Sequence, residues 1–304
     1  MGIGCFLLLF IYVYNEYETD RFHKNYDGIY RVSMDYYVDG QLMFNIPPPA
    51  GMFYDLPNVT GLESGSRVFS PNDIVIEYGY LRFLEVGVVM VDSAWKTIFD
   101  FQYANNSFQL FNDPTKVIIS SSVAARLFGQ DEAVGKQIKA GGEIYTVENI
   151  LLNQGINSSM NINFILSFQT RKKSGVDINS YEDGHTPYFV LSNDMGEAEV
   201  QHSLQQLIAD NTEEGFDVRI SVTSLKDSNF VTSNLKFQNG NLRGNKKYYV
   251  VFSVVGLIIL SMAIINYINL VTARAATRSK EVGIKKTIGA QRNALWKQFM
   301  VESL

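Results

Sequence analysis

The chain has 304 residues, of which 46% are hydrophobic and 19% charged, and its net charge is −5. The acidic surplus speaks against a nucleic-acid surface, which needs cations to neutralise phosphates. A single cysteine, Cys5, excludes an intrachain disulfide.

The averages hide a division. Residues 15–247 carry 19 Lys and Arg against 29 Asp and Glu, whereas residues 272–304 carry 7 against 2. An acidic middle and a basic end, parted by an uncharged run, is the asymmetry of a membrane protein. In chain order, the first fifteen residues, MGIGCFLLLFIYVYN, are uncharged. As a helix they reach about 22 Å, short of a hydrocarbon core of about 30 Å. A basic leader and a small-residue cleavage site are both missing, so a signal peptide is a poor reading. The expectation is the second half of a membrane helix, residues 1–14, whose beginning lies outside this sequence.

Just beyond, Phe22, Tyr26, Ile29 and Tyr30 fall at helical spacing, which predicts a short helix. Tyr30, Val32, Met34 and Tyr36 then alternate as in a strand, and Asp39-Gly40 supplies a hairpin turn before QLMFNI. Strand-like runs follow at DIVIEYGY and LRFLEVGVVMVD. TKVIIS reads as a strand feeding a helix, SSVAARLFG, with serine at its start and Gly129 at its end. KQIKAGGEIYTVENIL reads as a hairpin about Gly141-Gly142. Val200, Leu204, Leu207 and Ile208 have helical spacing, and DVRISVTSL alternates through Val218, Ile220 and Val222. Strands and helices mix without a βαβ rhythm, so the expected class is an α+β extracytoplasmic domain over residues 15–247, built as two subdomains and flanked by two transmembrane helices.

Catalytic constellations are weak throughout. GQDEAVGKQ, residues 129–137, departs from a phosphate-binding loop: its second glycine is one residue late and Gln137 stands where a hydroxyl is needed. His23, His185 and His202 are scattered and lack metal-ligand spacing. Neither SGSR at 64–67 nor SSSVAAR at 120–126 frames a serine nucleophile. Asp73, Glu77 and Glu85 lie in strand-like stretches and are read as solvated faces. The expectation is a non-catalytic chain with no cofactor and no metal.

YYVVFSVVGLIILSMAIINYINLV, residues 248–271, has no charge between Lys247 and Arg274. Its 24 residues would rise about 36 Å, enough to cross a bilayer. Arg274, Arg278, Lys280, Lys285 and Lys286 follow it and place residues 272–304 in the cytoplasm by the positive-inside rule, against a competing outer cluster of Arg243, Lys246 and Lys247. Asn266 and Asn269 share one face in the last turn of this span, either as interhelical hydrogen-bonding groups or as interfacial polar residues.

NYINLVTARAATRSKEVGIKKTIGAQRNALWKQFMVESL, residues 266–304, resembles the permease subunits of the MacB/FtsX type of ABC transporter. The matching residues are Glu281, Val282 and Gly283, then Ile288, Gly289 and Ala290. YNEYETDRFHKNYDGIYRV resembles that family's junction after the first membrane helix. TKVIISSSVAARLFGQDEAVGKQI and YTVENI resemble the core of its extracytoplasmic domain. The likeness is weak over residues 47–95 and 170–245. It implies a permease dimer in a bacterial inner membrane, with the large domain on the periplasmic side and an ABC ATPase as partner. Periplasmic or outer-membrane partners are also implied. The family unit has four spans and this chain two, so it reads as a fragment truncated at both ends. Residues 281–290, including Lys285 and Lys286, would then form a short coupling helix lying at the membrane face, docked on the ATPase. There Gly283 and Gly289 would allow close approach or end the helix. A basic helix anchored on anionic lipid is the plainer reading of the same residues. For the whole chain the alternative is a two-span sensor with an outer ligand-binding domain.

Overall fold

The computed structural model describes residues 2–55, 62–71, 73–152, 158–177, 184–192, 196–209, 217–227 and 246–289. By contacts the chain divides into two compact units, one of residues 15–246 and one of residues 1–14 with 247–304.

Among the described residues the first unit holds twelve strands: β1 (Ile29–Val38), β2 (Gln41–Ile46), β3 (Leu62–Phe69), β4 (Ile74–Tyr78), β5 (Leu81–Glu85), β6 (Val88–Val91), β7 (Lys116–Ser120), β8 (Gln137–Ala140), β9 (Glu143–Leu151), β10 (Phe164–Ser167), β11 (Thr186–Leu191) and β12 (Asp217–Ser224). They join one sheet in the order β12-β1-β11-β3-β6-β10-β7-β9-β8-β4-β5, with β2 paired to the free end of β1. Only β6–β10 and β7–β9 run parallel among the described pairs.

The local chemistry that shapes these strands is plain at their ends. Asp39 and Gly40 both take positive φ, 51° and 73°, as a two-residue hairpin turn between β1 and β2 requires. Gly141 and Gly142, at 57° and 93°, do the same between β8 and β9. Ser120 closes β7 and caps the following helix, its hydroxyl accepting from the Val123 N–H at 3.3 Å.

The helices of this unit are short: α2 (Ala50–Asp55), α3 (Trp95–Ile98), α4 (Ser121–Phe128), α5 (Gln169–Lys173) and α6 (Glu197–Ala209). At one end of the sheet, α6 sets Val200 and Leu204 on β1, β11 and β12, where Val32, Met34, Phe189 and Ile220 complete a core. At the other end α4 covers β7, β8 and β9 through Val123, Leu127 and Phe128. Between them lies a larger, aromatic cluster built on Trp95, Phe99, Phe101, Tyr103 and Tyr188.

Two expectations change here. In place of two subdomains, residues 15–246 form one compact unit whose continuous sheet carries a core at each end. The helix expected over Phe22–Tyr30 is a series of turns with one 3-10 turn at Tyr26–Gly28, and the strand β1 begins at Ile29. Asp20, just ahead of this segment, takes φ 61°, and Ile29 and Tyr30 are taken up by pairing with Val190 and Phe189 of β11. Ile208 has no described side chain, so its expected place on α6 lies outside what is described.

The second unit holds the apolar helix α1 (Gly2–Tyr17) up to Tyr14 and the 42-residue helix α7 (Lys246–Thr287). They pack antiparallel: Gly2 lies against Ala263, Gly256 against Phe6 and Leu9, and Tyr12 stacks edge-on to Phe252 at 5.2 Å. Gly256 is buried, with the side chains of Phe6 and Leu9 lying over it. Residues 248–275 of α7 form the one described helix long and apolar enough to cross a membrane; α1 is apolar but 16 residues long.

Candidate functional site

The residues expected to couple to an ATPase belong to α7 itself. Among the described residues no separate short helix begins in this segment: the backbone stays helical from Lys246 through Thr287, across the change from apolar to basic sequence at residue 272. Glu281, Val282, Gly283, Lys285 and Lys286 therefore occupy the last two turns of the helix that carries the apolar run. Continuity has a simple cause, since residues 272–287 hold neither proline nor a cap before the end, and three alanines favour helix.

The stop is at Gly289. Its φ of 95° is open to glycine at little cost, and its N–H donates to the Lys286 carbonyl at 3.1 Å. The Ile288 N–H donates to the Ile284 carbonyl at 3.2 Å, and the Thr287 hydroxyl to the same carbonyl at 2.7 Å. Gly283 is an interior helical residue with open space where a Cβ would stand. Of the two glycines, one ends the helix and the other neither ends it nor meets a neighbour among the described residues. Ala290 lies outside the described residues, as does the side chain of Glu281.

One residue of this segment escaped the sequence reading. Ile284 is 60% exposed and sits one turn before Ile288, which is 81% exposed. The signal was present as an i, i+4 apolar pair inside a basic stretch, the spacing that aligns side chains on one helix face. Val282 and Lys285 are half-buried, Lys286 is exposed, and Asn266 and Asn269 are both exposed on the chain alone.

The outer unit carries polar clusters that the strand patterns did not reveal. Glu85, expected on a solvated face, is instead buried at the end of β5. It accepts from Arg126 of α4 and from the Asn163 side chain at 2.9 Å, and the Arg126 guanidinium lies 4.3 Å from the Phe83 ring centre. Burial pushes its carboxyl above the usual range, while Arg126 pulls the other way. Glu77 does sit on the surface, between Arg82 and Lys139 at 3.8 and 3.4 Å, and Asp73 is exposed. Asp92 accepts from Ser66 at 2.8 Å and from the Arg67 N–H at 3.1 Å, which satisfies two polar residues of β3 in the middle of the sheet.

The three histidines stand apart. His23 is buried among Phe22, Phe99 and Phe101, and its Nδ1 accepts the Asp100 N–H at 3.0 Å. Desolvation drives its pKa down to about 4. His185 is buried between Phe69 and Phe168, and His202 is exposed on α6 beside Gln206. Among the described residues no cluster of His, Cys, Asp and Glu has the form of a metal site. In the loop 129–137, the Gly135 N–H donates to the Val147 carbonyl at 2.8 Å and the Lys136 carbonyl accepts from Val147 at 2.9 Å. These bonds tie the loop to β9 and take up the Gly135 amide that a phosphate cradle would present.

Comparison with known proteins agrees with this architecture. A family profile described as the MacB-like periplasmic core domain matches residues 1–207, and one described as the FtsX-like permease C-terminal matches residues 253–304. The macrolide export ATP-binding/permease protein MacB of Bdellovibrio bacteriovorus is 24% identical over 197 residues, which cover 62% of this chain. The chain spans 28% of the length of that relative. A domain described as belonging to a permease protein from Porphyromonas gingivalis shares the fold, with a TM-score of 0.54 at 14% identity over 66% of this chain and 91% of that one. The periplasmic region of MacB from Actinobacillus actinomycetemcomitans aligns with a TM-score of 0.49 at 10% identity, over 66% and 90%. With the core-domain profile covering more than half of its length and the permease profile covering its end, the chain belongs to the MacB/FtsX family of ABC transporter permeases.

Proposed function

We propose that this chain hands the motion of a cytoplasmic ABC ATPase to a domain on the far side of the membrane. The observation that supports the reading is the unbroken α7. A helix of 42 residues extends about 63 Å, roughly twice a hydrocarbon core. One rod thus joins the apolar run to the residues expected to meet the ATPase, and a displacement at its basic end is carried along its axis without an intervening hinge. In this reading α1 belongs to a first span, residues 15–247 form the periplasmic domain, residues 248–271 cross the inner membrane and residues 272–304 face the cytoplasm. Two such chains would form the permease dimer, and ATP hydrolysis would reside on the partner.

Ile284 and Ile288 give the coupling end a specific shape. Two exposed isoleucines one turn apart fit a shallow apolar cleft, and Lys285 and Lys286 supply positive charge for an acidic rim around it. Anchoring on anionic lipid would use the lysines, yet would leave the docking of Ile284 undemanding. A two-span sensor would need the helix to run on into a signalling linker, whereas α7 stops at Gly289.

The test is co-purification of the full-length permease with an ABC ATPase co-expressed from its own locus. Ile284→Asp and the double reversal Lys285→Glu, Lys286→Glu should each lower recovery of the ATPase at least about tenfold, equivalent to about 1.4 kcal/mol. Membrane insertion should be unchanged. Wild-type recovery in both variants would defeat the coupling assignment. Loss in the lysine variant alone, restored by anionic lipid, would favour lipid anchoring.

A further inference from the structure

The face of β1 turned away from α6 carries Ile29, Arg31 and Ser33 in alternation. Ile29 enters the aromatic central core. Arg31 and Ser33 instead line a cavity of about 370 Å³, within the size range of small-ligand sites. Its apolar wall comes from Val68 of β3, Val89 of β6, Met160 and Ile162, and Tyr188 of β11. Gly87 also lines it, at a φ of 72° and so close to the Asn161 carbonyl that a Cβ would overlap it. That contact fixes one wall of the cavity in place.

Arg31 is 5% exposed, and its Nε and Nη2 are buried with no hydrogen-bond partner. A guanidinium keeps its charge at any physiological pH, so burying it without an anion is costly. Lys or Arg does not occur elsewhere among the described lining residues, and the lone carboxylate there, Asp73, is exposed and makes no described ion pair with Arg31. Asn45, also lining, already donates to Ser33 at 2.8 Å and to Asp35 at 2.6 Å. The site is therefore a chamber with one apolar wall, the rest of its lining being polar, and with one cation that has no described partner.

We infer that this cavity binds a monoanionic organic ligand, a carboxylate on an apolar body, with the carboxylate paired to Arg31. One guanidinium matches one carboxylate in charge, whereas a phosphate dianion would call for a second cation that the described lining lacks. A small organic acid and the C-terminus of a short apolar peptide share this chemistry. The site goes beyond the coupling reading and stands whether or not α7 docks an ATPase.

The experiment uses the full chain in lipid nanodiscs and three water-soluble probes: N-acetylphenylalanine, its neutral amide, and phenyl phosphate. Binding is followed by titration calorimetry and by the thermal unfolding midpoint. N-acetylphenylalanine should bind one per chain and raise the midpoint, with the amide and the phosphate at least tenfold weaker. Arg31→Met should weaken the carboxylate at least tenfold and leave the unliganded protein no less stable, because it removes an unpaired buried charge. Arg31→Lys, which keeps a charge but loses the fork, should bind with intermediate affinity. Equal binding to wild type and Arg31→Met, no binding of the carboxylate, or tighter binding of the phosphate would each overturn the assignment. So would failure of Arg31→Met to fold while Arg31→Lys folds without binding, which would make Arg31 a structural residue.

Discussion

His23 shows how one buried ring ties the outer domain to pH. Its Nδ1 accepts a backbone N–H from Asp100, so the proton of the neutral ring sits on Nε2, and a second proton would break that bond. With the pKa lowered to about 4, the folded state favours the neutral ring. The sign follows: the unfolded chain takes up a proton near pH 6.5, and the folded one only near 4. The contribution is complete above pH 6.5 and is lost as pH falls from there through about 4, for a total of about 3 kcal/mol. Chemical denaturation of His23→Gln should show a much smaller drop in stability between pH 7.5 and 5 than wild type, with Trp95 fluorescence as the probe. Parallel pH dependences in the two proteins would mean that His23 does not carry the effect. Glu85 has the opposite slope, since burial raises its carboxyl, and its stabilising share is present at low pH and lost as pH rises through its folded pKa.

At the scale of elements, packing of α1 on α7 depends on small residues. A Cβ at Gly256 would meet Phe6 and Leu9 at 3.7 and 3.8 Å, ordinary contact distances, whereas a longer side chain has no room. Gly256→Ala should therefore be near neutral and Gly256→Leu should cost about 2 kcal/mol. Thermal melts in detergent distinguish them, and equal midpoints would argue against this pairing. Elements closed by turn or cap chemistry were legible in the sequence: Asp39-Gly40, Gly141-Gly142, and Ser120 with Gly129 each act within a few residues. The strands β3, β10 and β11 were not, although they lie in the middle of the sheet. β10 is buried at all four positions, so it has no alternation to read, and Pro187 in β11 and Ser64, Gly65 and Ser66 in β3 disguise their strands. What rescues β3 is Asp92, 26 residues away from Ser66, a partner that local pattern cannot supply. Similarly the basic segment was visible as a unit of composition, but composition marks a change of solvent and not the end of a helix. Hence the basic segment was marked in sequence while its helical continuity with the span was missed.

For the molecule as a whole, the two units ask for different surroundings. Much of α7 is apolar and exposed on the isolated chain, Leu257 at 61% and Met262 at 64% among others, a surface suited to lipid. The described part of residues 15–246 builds three buried apolar cores of its own. A fragment of residues 15–246 should accordingly remain monomeric without detergent and keep a sheet-rich circular dichroism spectrum, whereas the full chain should aggregate unless lipid or detergent is present. Aggregation of the fragment on gel filtration would show that the outer domain leans on the helices for its stability.

The pairing of β1 with β12 sets a schedule for making this protein. Tyr30 lies opposite Ser224, and Tyr37 opposite Asp217, so the strand made first waits for the strand made last. At about 5–20 residues per second, synthesis leaves β1 without that neighbour for roughly 10–40 s, and a loop of nearly the whole domain must close before the two meet. During that interval the inward row of Val32 and Met34 has no cover from β12. The nascent domain is thus most vulnerable to proteolysis and mispairing late in its synthesis, and a holding chaperone would be of most use to it just before β12 appears.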